Sequence, residues 1–429
     1  MKFNFQVVVI IIFIIAAIFG VLVFSGAIPL GGGGEGGLGT VVLWGTLPTS
    51  VILEPLEEFN NANPTFIVEY EEKSSETFDR DLLEALATGT GPDIFFLSDD
   101  LAYHYSDKII PIPYANYPVA SFKSVFAGAG EVFLTEAGVL AFPISIDPLM
   151  LYYNRSILDA EGIIFPPKDW EEFSFNVAKL TRKDEFNTVE RSGAALGQYA
   201  NVVHAKNILA MLFLQAGNPI VSETEGSFRS ALNAPVGKYN LPSILEFYTS
   251  FADPENPLYS WNRSFANSAD MFSNEDLAFY FGYASEVATL VNRNPNQNFF
   301  LAPVPQIKGA KSRLTAARVE GVAVAASSKN LNTALQAASL LSSSNFAAKY
   351  APARNIAPAR RDLLSAPPPD QFSPIFYSSA LFARSWLDPS PQDTDAIFGS
   401  MVGAVLSNNL SPTDAVQDAG SKLELLLLK

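Results

Sequence analysis

Residues Thr88 to Asp100 read TGTGPDIFFLSDD. Small residues and a proline break the chain, and four apolar residues, Ile94 to Leu97, follow without interruption. Ser98, Asp99 and Asp100 then end the run. A short strand that is apolar on both sides belongs in a sheet covered on both faces. That requirement constrains the fold more than any other stretch. The segments before it supply the covering layers. TVVLWGT (Thr40 to Thr46) reads as a buried strand, and SVILEPLEEFNNANP (Ser50 to Pro64) as a helix stopped at Asn63-Pro64. Leu53, Leu56 and Phe59 are expected on one face of it. TFIVEYEE (Thr65 to Glu72) alternates like a strand. SETFDRDLLEALATG carries an apolar stripe of Phe78, Leu82, Leu83 and Leu86, with Gly89 as its stop. Strand, helix, strand, helix, strand is the order of an open α/β sheet.

Such sheets bind ligands beyond the carboxyl ends of their strands. Trp44 and Thr46 close the first strand, and Asp99 and Asp100 close the third. The competing role for Asp99 or Asp100 is to cap the helix that follows.

Composition removes several function classes. The chain has 429 residues, no cysteine, two histidines and a formal charge of −16. Disulfides, thiol nucleophiles and cysteine metal sites are excluded. His104 and His204 are too few for a histidine metal centre and are read as surface or satisfied residues. No basic stripe marks a nucleic-acid partner. GTG at Gly89 to Gly91 lacks the lysine of a phosphate loop and precedes its strand. No metal and no cofactor are expected.

The N-terminus is apolar from Val7 to Leu30, with Lys2 the only charge before Glu35. About 20 apolar residues span a bilayer core. The run exceeds the usual apolar region of a signal peptide, about 7–15 residues. Residues 1–30 are expected to be a transmembrane anchor, with a cleaved signal segment as the alternative, and the rest of the chain is expected outside the cell membrane. GGGGEGGLG (Gly31 to Gly39) has the composition of a flexible tether.

Further on, Leu149 to Tyr153 reads as a strand and NRSILDAEGI as a short helix stopped by Gly162. KDWEEF opens another helix with Asp169 at its positive end. GTGPDIFFLSDD, FPISIDPLMLYYNRSILDAEGI and PPKDWEEF, in this order, resemble motifs of the extracellular solute-binding proteins of ABC importers. The similar group is the carbohydrate-binding one that includes maltose-binding protein. FSNEDLAFYFGYAS (Phe272 to Ser285), FFLAPVPQIKG (Phe299 to Gly309) and EGVAVAASSKNLNTALQAASLL (Glu320 to Leu341) extend the resemblance. It covers about residues 40 to 429.

The resemblance implies a periplasmic-binding-protein-like fold of two α/β lobes with the ligand in the cleft between them. By analogy the first lobe is 40–145 plus 306–350, and the second is 149–302 plus 355–429. The crossings fall near Ile146-Asp147, Pro303 to Pro305 and Pro352 to Arg354. The implied function is capture of a sugar or oligosaccharide and its delivery to ABC permease subunits, by a monomer without catalytic residues. Asp100 stands where the family places a sugar-binding carboxylate, Asp147 where it has an acidic contact at the first crossing, and Tyr283 near its stacking aromatic. Leu97 departs from the tryptophan of close relatives. Arg354 resembles a family segment that pins the third crossing. Sugar rings also need aromatic plates. Trp44, Trp261 and Trp386 are candidates, whereas Trp170 is read as packing beneath its helix. Two rival functions stay open. One is a membrane-anchored sensor for a non-sugar solute. The other is a glycoside hydrolase, which needs two carboxyl groups about 5–9.5 Å apart.

Overall fold

The computed structural model describes residues 39–224, 226–233 and 239–428. The N-terminal run expected to cross a membrane lies outside them, as does nearly all of the glycine tether. Among the described residues no helix is long and apolar enough to cross a membrane.

The opening segments fold in the expected order. β1 (Gly39–Gly45), α1 (Thr49–Ala62), β2 (Phe66–Glu72), α2 (Phe78–Thr88) and β3 (Ile94–Ser98) alternate. On α1 the buried residues are Ile52, Pro55, Leu56 and Phe59, and Leu53 is half exposed. The expected steps of three drift from a helix of 3.6 residues per turn, and Ile52 takes the inward place. On α2 the buried face is Phe78, Leu82, Ala85 and Leu86. Gly89 ends it at φ 70°, a left-handed position that costs glycine nothing.

The next elements that position the site are β4 (Ala141–Asn154), α3 (Trp170–Leu180), β5 (Val189–Ala194) and α4 (Ala205–Gln215). They are followed by β6 (Leu277–Tyr283), β7 (Phe299–Pro303), β8 (Thr315–Val324) and α5 (Ser344–Ala353). β9 (Ala357–Pro358), β10 (Ala383–Arg384), α6 (Pro391–Leu406) and α7 (Pro412–Leu427) complete the set. Asp169 caps α3 by accepting the Glu172 N–H at 2.9 Å, and Ser411 caps α7 by accepting that of Asp414. Asp169 stands at the helix start read from the sequence.

One sheet holds most strands, in the order β2-β1-β3-β8-β4-β6-β5. β1 and β3 are parallel. β8 runs antiparallel to both β3 and β4. β4 is a single 14-residue strand, buried along its whole length. Its first part, from Ala141 to Pro148, pairs with β8. Its second part, from Leu149 to Asn154, pairs with β6 and β7. Strands without an outward polar face require cover on both sides, and the helices supply it.

Candidate functional site

β3 is buried until Ser98, and the chain then turns into a short 3-10 segment, Asp99–Leu101. Neither aspartate caps a helix with its side chain. The Asp99 carboxylate is buried and accepts the Val319 N–H of β8 at 2.9 Å, and also the Ser385 hydroxyl. Asp100 is exposed and accepts the Ser98 hydroxyl.

These two residues form one wall of a cavity of about 150 Å³. α4 adds Lys206, β8 adds Arg318, and the segment after β10 adds Ser385, Trp386 and Asp388. Arg384 to Trp386 also line a second chamber of about 290 Å³, whose other walls include Leu134, Ile220 and Phe228.

The charges around the first cavity are arranged in distinct ways. Lys206 donates to Asp388 at 2.8 Å, to the Pro391 carbonyl at 3.0 Å and to Thr394 at 3.1 Å, so its three protons are engaged. Burial pushes the Asp388 carboxyl up, against the pull of Lys206 and Thr394. Burial also pushes Asp99 up to about 7, with the Asp100 charge adding to it and Ser385, Val319 and Arg318 opposing. A carboxyl raised in the folded state stabilises the fold below its unfolded value and loses that contribution as pH rises through the folded value. The wild-type melting temperature is therefore expected to fall, relative to that of Asp99→Asn, between about pH 4 and pH 7. Parallel melting curves for the two proteins across that window would overturn the assignment.

Arg318 is exposed, and its guanidinium makes no hydrogen bond to the protein among the described residues. Its guanidinium lies over the Tyr283 ring, 4.1 Å from the centroid. Desolvation in the cavity opposes its charge, but Tyr283, Asp147, Asp99 and Glu286 outweigh that effect. Tyr283 is wholly buried and its hydroxyl has no partner. The edge of His204 meets the same ring at 4.8 Å. Glu286 holds this corner: it is 2.6 Å from His204 Nε2 and accepts from the Tyr280 hydroxyl at 2.5 Å and the Tyr283 N–H at 2.7 Å. His204 itself sits at φ 64°, a left-handed position that few residues other than glycine adopt.

The six residues read from sequence thus separate. Asp100 and Trp386 line one cavity. Trp386 is half-buried and stacks on Phe398. Tyr283 does not line that cavity; it lies beneath Arg318, which does. Asp147 is buried and accepts both the N–H and the hydroxyl of Ser285, at 3.0 and 2.6 Å, which ties the middle of β4 to the turn after β6. Trp44 lies elsewhere, half-buried, with the Lys73 ammonium 3.7 Å over its ring. Trp261 is fully buried, and its indole N–H donates to Asn201 at 3.0 Å. Trp170 packs in the core against Phe173 and Phe281, as read. Arg354 pairs with Glu320 of β8 at 2.5 Å. Sequence reasoning missed Lys206, Arg318 and Asp388, which stand in unremarkable contexts. Among the described residues no cluster of three or more His, Cys, Asp or Glu is placed to hold a metal.

The chain matches the family model described as "Bacterial extracellular solute-binding protein" over residues 55–373. A protein of Brucella abortus (strain 2308) named as a binding protein is 24% identical over 131 residues. That match spans 30% of this chain and only 31% of that relative. The sugar-binding protein MalE from Xanthomonas citri superimposes with a TM-score of 0.73 at 19% identity, covering 91% of this chain and 97% of that one. A cyclo/maltodextrin-binding protein complexed with maltotetraose gives 0.72 at 18% identity, covering 92% and 98%. The extracellular solute-binding protein from Staphylococcus aureus in complex with maltose gives 0.70 at 15% identity, covering 91% and 98%. At such identities the likeness establishes the fold, a two-lobed α/β architecture.

Proposed function

The chain belongs to the bacterial extracellular solute-binding protein family, and we propose that it captures a sugar or oligosaccharide between its lobes and delivers it to the permease of an ABC importer. One observation carries the saccharide reading. Asp100, from the end of β3, and Trp386, from the segment after β10, line the same small cavity. A carboxylate for hydroxyl groups and an aromatic plate for a ring face are the two elements a sugar site requires. The sugar-bound state of several structural neighbours supports the same class. Asp99 and Asp100 are held by Ser385, Val319 and Ser98, and Asp388 by Lys206 and Thr394, and we assign the cavity to binding.

In this reading the lobes exchange chain within β4, near Ile146-Asp147, because its two ends pair with different strands. The second exchange is assigned to Ala317–Val319 of β8, not to Pro303–Pro305. Gln306 still pairs its backbone with Lys168 and Trp170, beside the second lobe's α3. The ligand closes the lobes by binding the closed state better. The N-terminal apolar run anchors the domain on the outer face of the membrane, and the protein works as a monomer.

The test is a calorimetric titration of the purified protein with sugars and oligosaccharides. Trp386→Ala is expected to weaken the bound saccharide about 30-fold or more, the size of a lost central aromatic contact. Asp100→Ala should weaken it about tenfold or more, from the loss of a charged hydrogen bond. A saccharide that binds both variants as tightly as the wild type would remove this cavity from the assignment.

A further inference from the structure

We propose that Tyr103 is a latch that holds the two lobes together from outside the ligand cavity, by seating on Phe228 of the strand Ser227–Ser230 and on the last turn of α7. The inference rests on the lobe-closure reading and adds to it a contact that favours the closed state before any ligand acts.

The chain that follows β3 serves two places. Asp100 lines the first cavity. Tyr103, three residues on, lines neither that cavity nor the chamber beside it. Its half-buried ring meets Phe228 nearly edge to face, with centroids 5.6 Å apart and planes at 77°. Its hydroxyl donates to the Leu427 carbonyl at 3.4 Å. Tyr103 belongs to the first lobe, and Phe228 and Leu427 to the second. The Leu427 carbonyl is one of the last four of α7, which have no partner within their own helix and take a donor from outside it. An edge-to-face aromatic pair multiplies an equilibrium constant by about 2 to 10, beyond the effect of the area it buries.

The surface that receives Tyr103 is one piece. Glu424 of α7 accepts from the Arg229 guanidinium and from the Ser230 N–H, each at 2.7 Å, and so ties the strand to the helix. Phe228 and Leu427 therefore move together, and Tyr103 meets both or neither. Packed contacts of this all-or-none kind bias a closure equilibrium. A ligand that finds its closed state already populated spends less of its affinity on closing, and its apparent dissociation constant falls in proportion. Phe228 also walls the chamber of about 290 Å³ beside Trp386, whereas Tyr103 does not. Replacing Tyr103 thus alters the latch without touching a cavity wall.

The experiment reads closure without ligand. The chain has no cysteine, so cysteines introduced at the exposed positions Glu84 on α2 and Glu190 on β5 carry a donor and an acceptor dye on opposite lobes. Single-molecule energy transfer on the full-length chain, in a detergent without a sugar headgroup, gives the ratio of closed to open molecules. Tyr103→Ala is expected to lower that ratio about 5- to 20-fold, the aromatic pair and its buried area together. Phe228→Ala should lower it by a similar factor from the other lobe. The double variant should be no more open than either single one, because each residue acts through the other. Tyr103→Phe keeps the ring and should lose less than threefold. A ratio unchanged in both alanine variants would overturn the latch, and so would effects that simply multiply in the double variant. Titration with maltotriose as the probe should then show Tyr103→Ala weakened by the factor its closed-to-open ratio has lost. An undiminished affinity beside a lowered ratio would overturn the coupling of the latch to capture. Failure of maltotriose to bind the wild type would count against the saccharide reading alone, since the ligand-free ratio decides the latch without it.

Discussion

Replacing Asp388 by alanine is expected to lower the unfolding free energy by about 3–5 kcal/mol, the size seen when one partner of a buried ion pair is removed. The Asp388 side chain is 4% exposed and that of Lys206 is 13% exposed. Without the carboxylate, the Lys206 ammonium keeps only Thr394 and one carbonyl oxygen. The Thr394 hydroxyl and the Ser390 N–H also lose an acceptor. Lys206 opens α4 and Thr394 lies in the first turn of α6, so the pair holds two helices of the same lobe against the cavity. Chemical denaturation at pH 7 measures the difference. The double replacement Asp388→Leu with Lys206→Met should recover much of it, since buried pairs are often replaceable by apolar residues of similar volume. A single variant within 1 kcal/mol of the wild type would show that Lys206 finds water or another acceptor when the carboxylate is gone.

Trp261→Ala is expected to cost a similar amount, about 3–5 kcal/mol, by leaving a large cavity in a packed core. The indole is fully buried, meets Phe265 at 5.1 Å and donates to Asn201, which would lose its acceptor role. Saccharide affinity, measured well below the variant's melting temperature, should stay within about twofold of wild type. Trp386→Ala should behave in the opposite way, with a large loss of affinity and a smaller loss of stability. The crossed pattern separates a core tryptophan from a cleft one. Equal effects of both substitutions on affinity would place Trp261 in the ligand's surroundings after all.

Sequence pattern disclosed the layers more readily than the site. The apolar run Ile94 to Leu97 became a strand buried on both faces, and its polar end reached a cavity. Periodicity and capping residues depend on neighbours in the chain, so the helix opened by Asp169 was legible. The ligand wall is built differently. Asp99, Lys206, Arg318 and Trp386 converge from four distant elements. No local spacing records that meeting. Family motifs pointed to Asp100 and Tyr283, because each follows a recognisable strand. Nothing of that kind distinguishes Trp386 from Trp261. Both lie in loop-rich stretches, and only the path of the chain buries one and leaves the other at the cavity. Arg318 stood unnoticed in an otherwise almost wholly buried strand, and only the fold brings it to the cavity wall.

The continuous strand β4 also governs how the chain is assembled in time. Its fourteen residues are wholly buried in the finished molecule, yet its partner β8 begins only at Thr315. While the ribosome makes the intervening residues, Ala141 to Pro148 has no antiparallel neighbour on the β8 side. An apolar edge of this kind recruits strands from other chains. Pairing across so long an interval must also overcome loop closure before it returns any stabilisation. The first half of the fold therefore cannot finish ahead of the second. Until Thr315 to Val324 is made, β3 and β4 lack the strand that lies between them in the finished sheet.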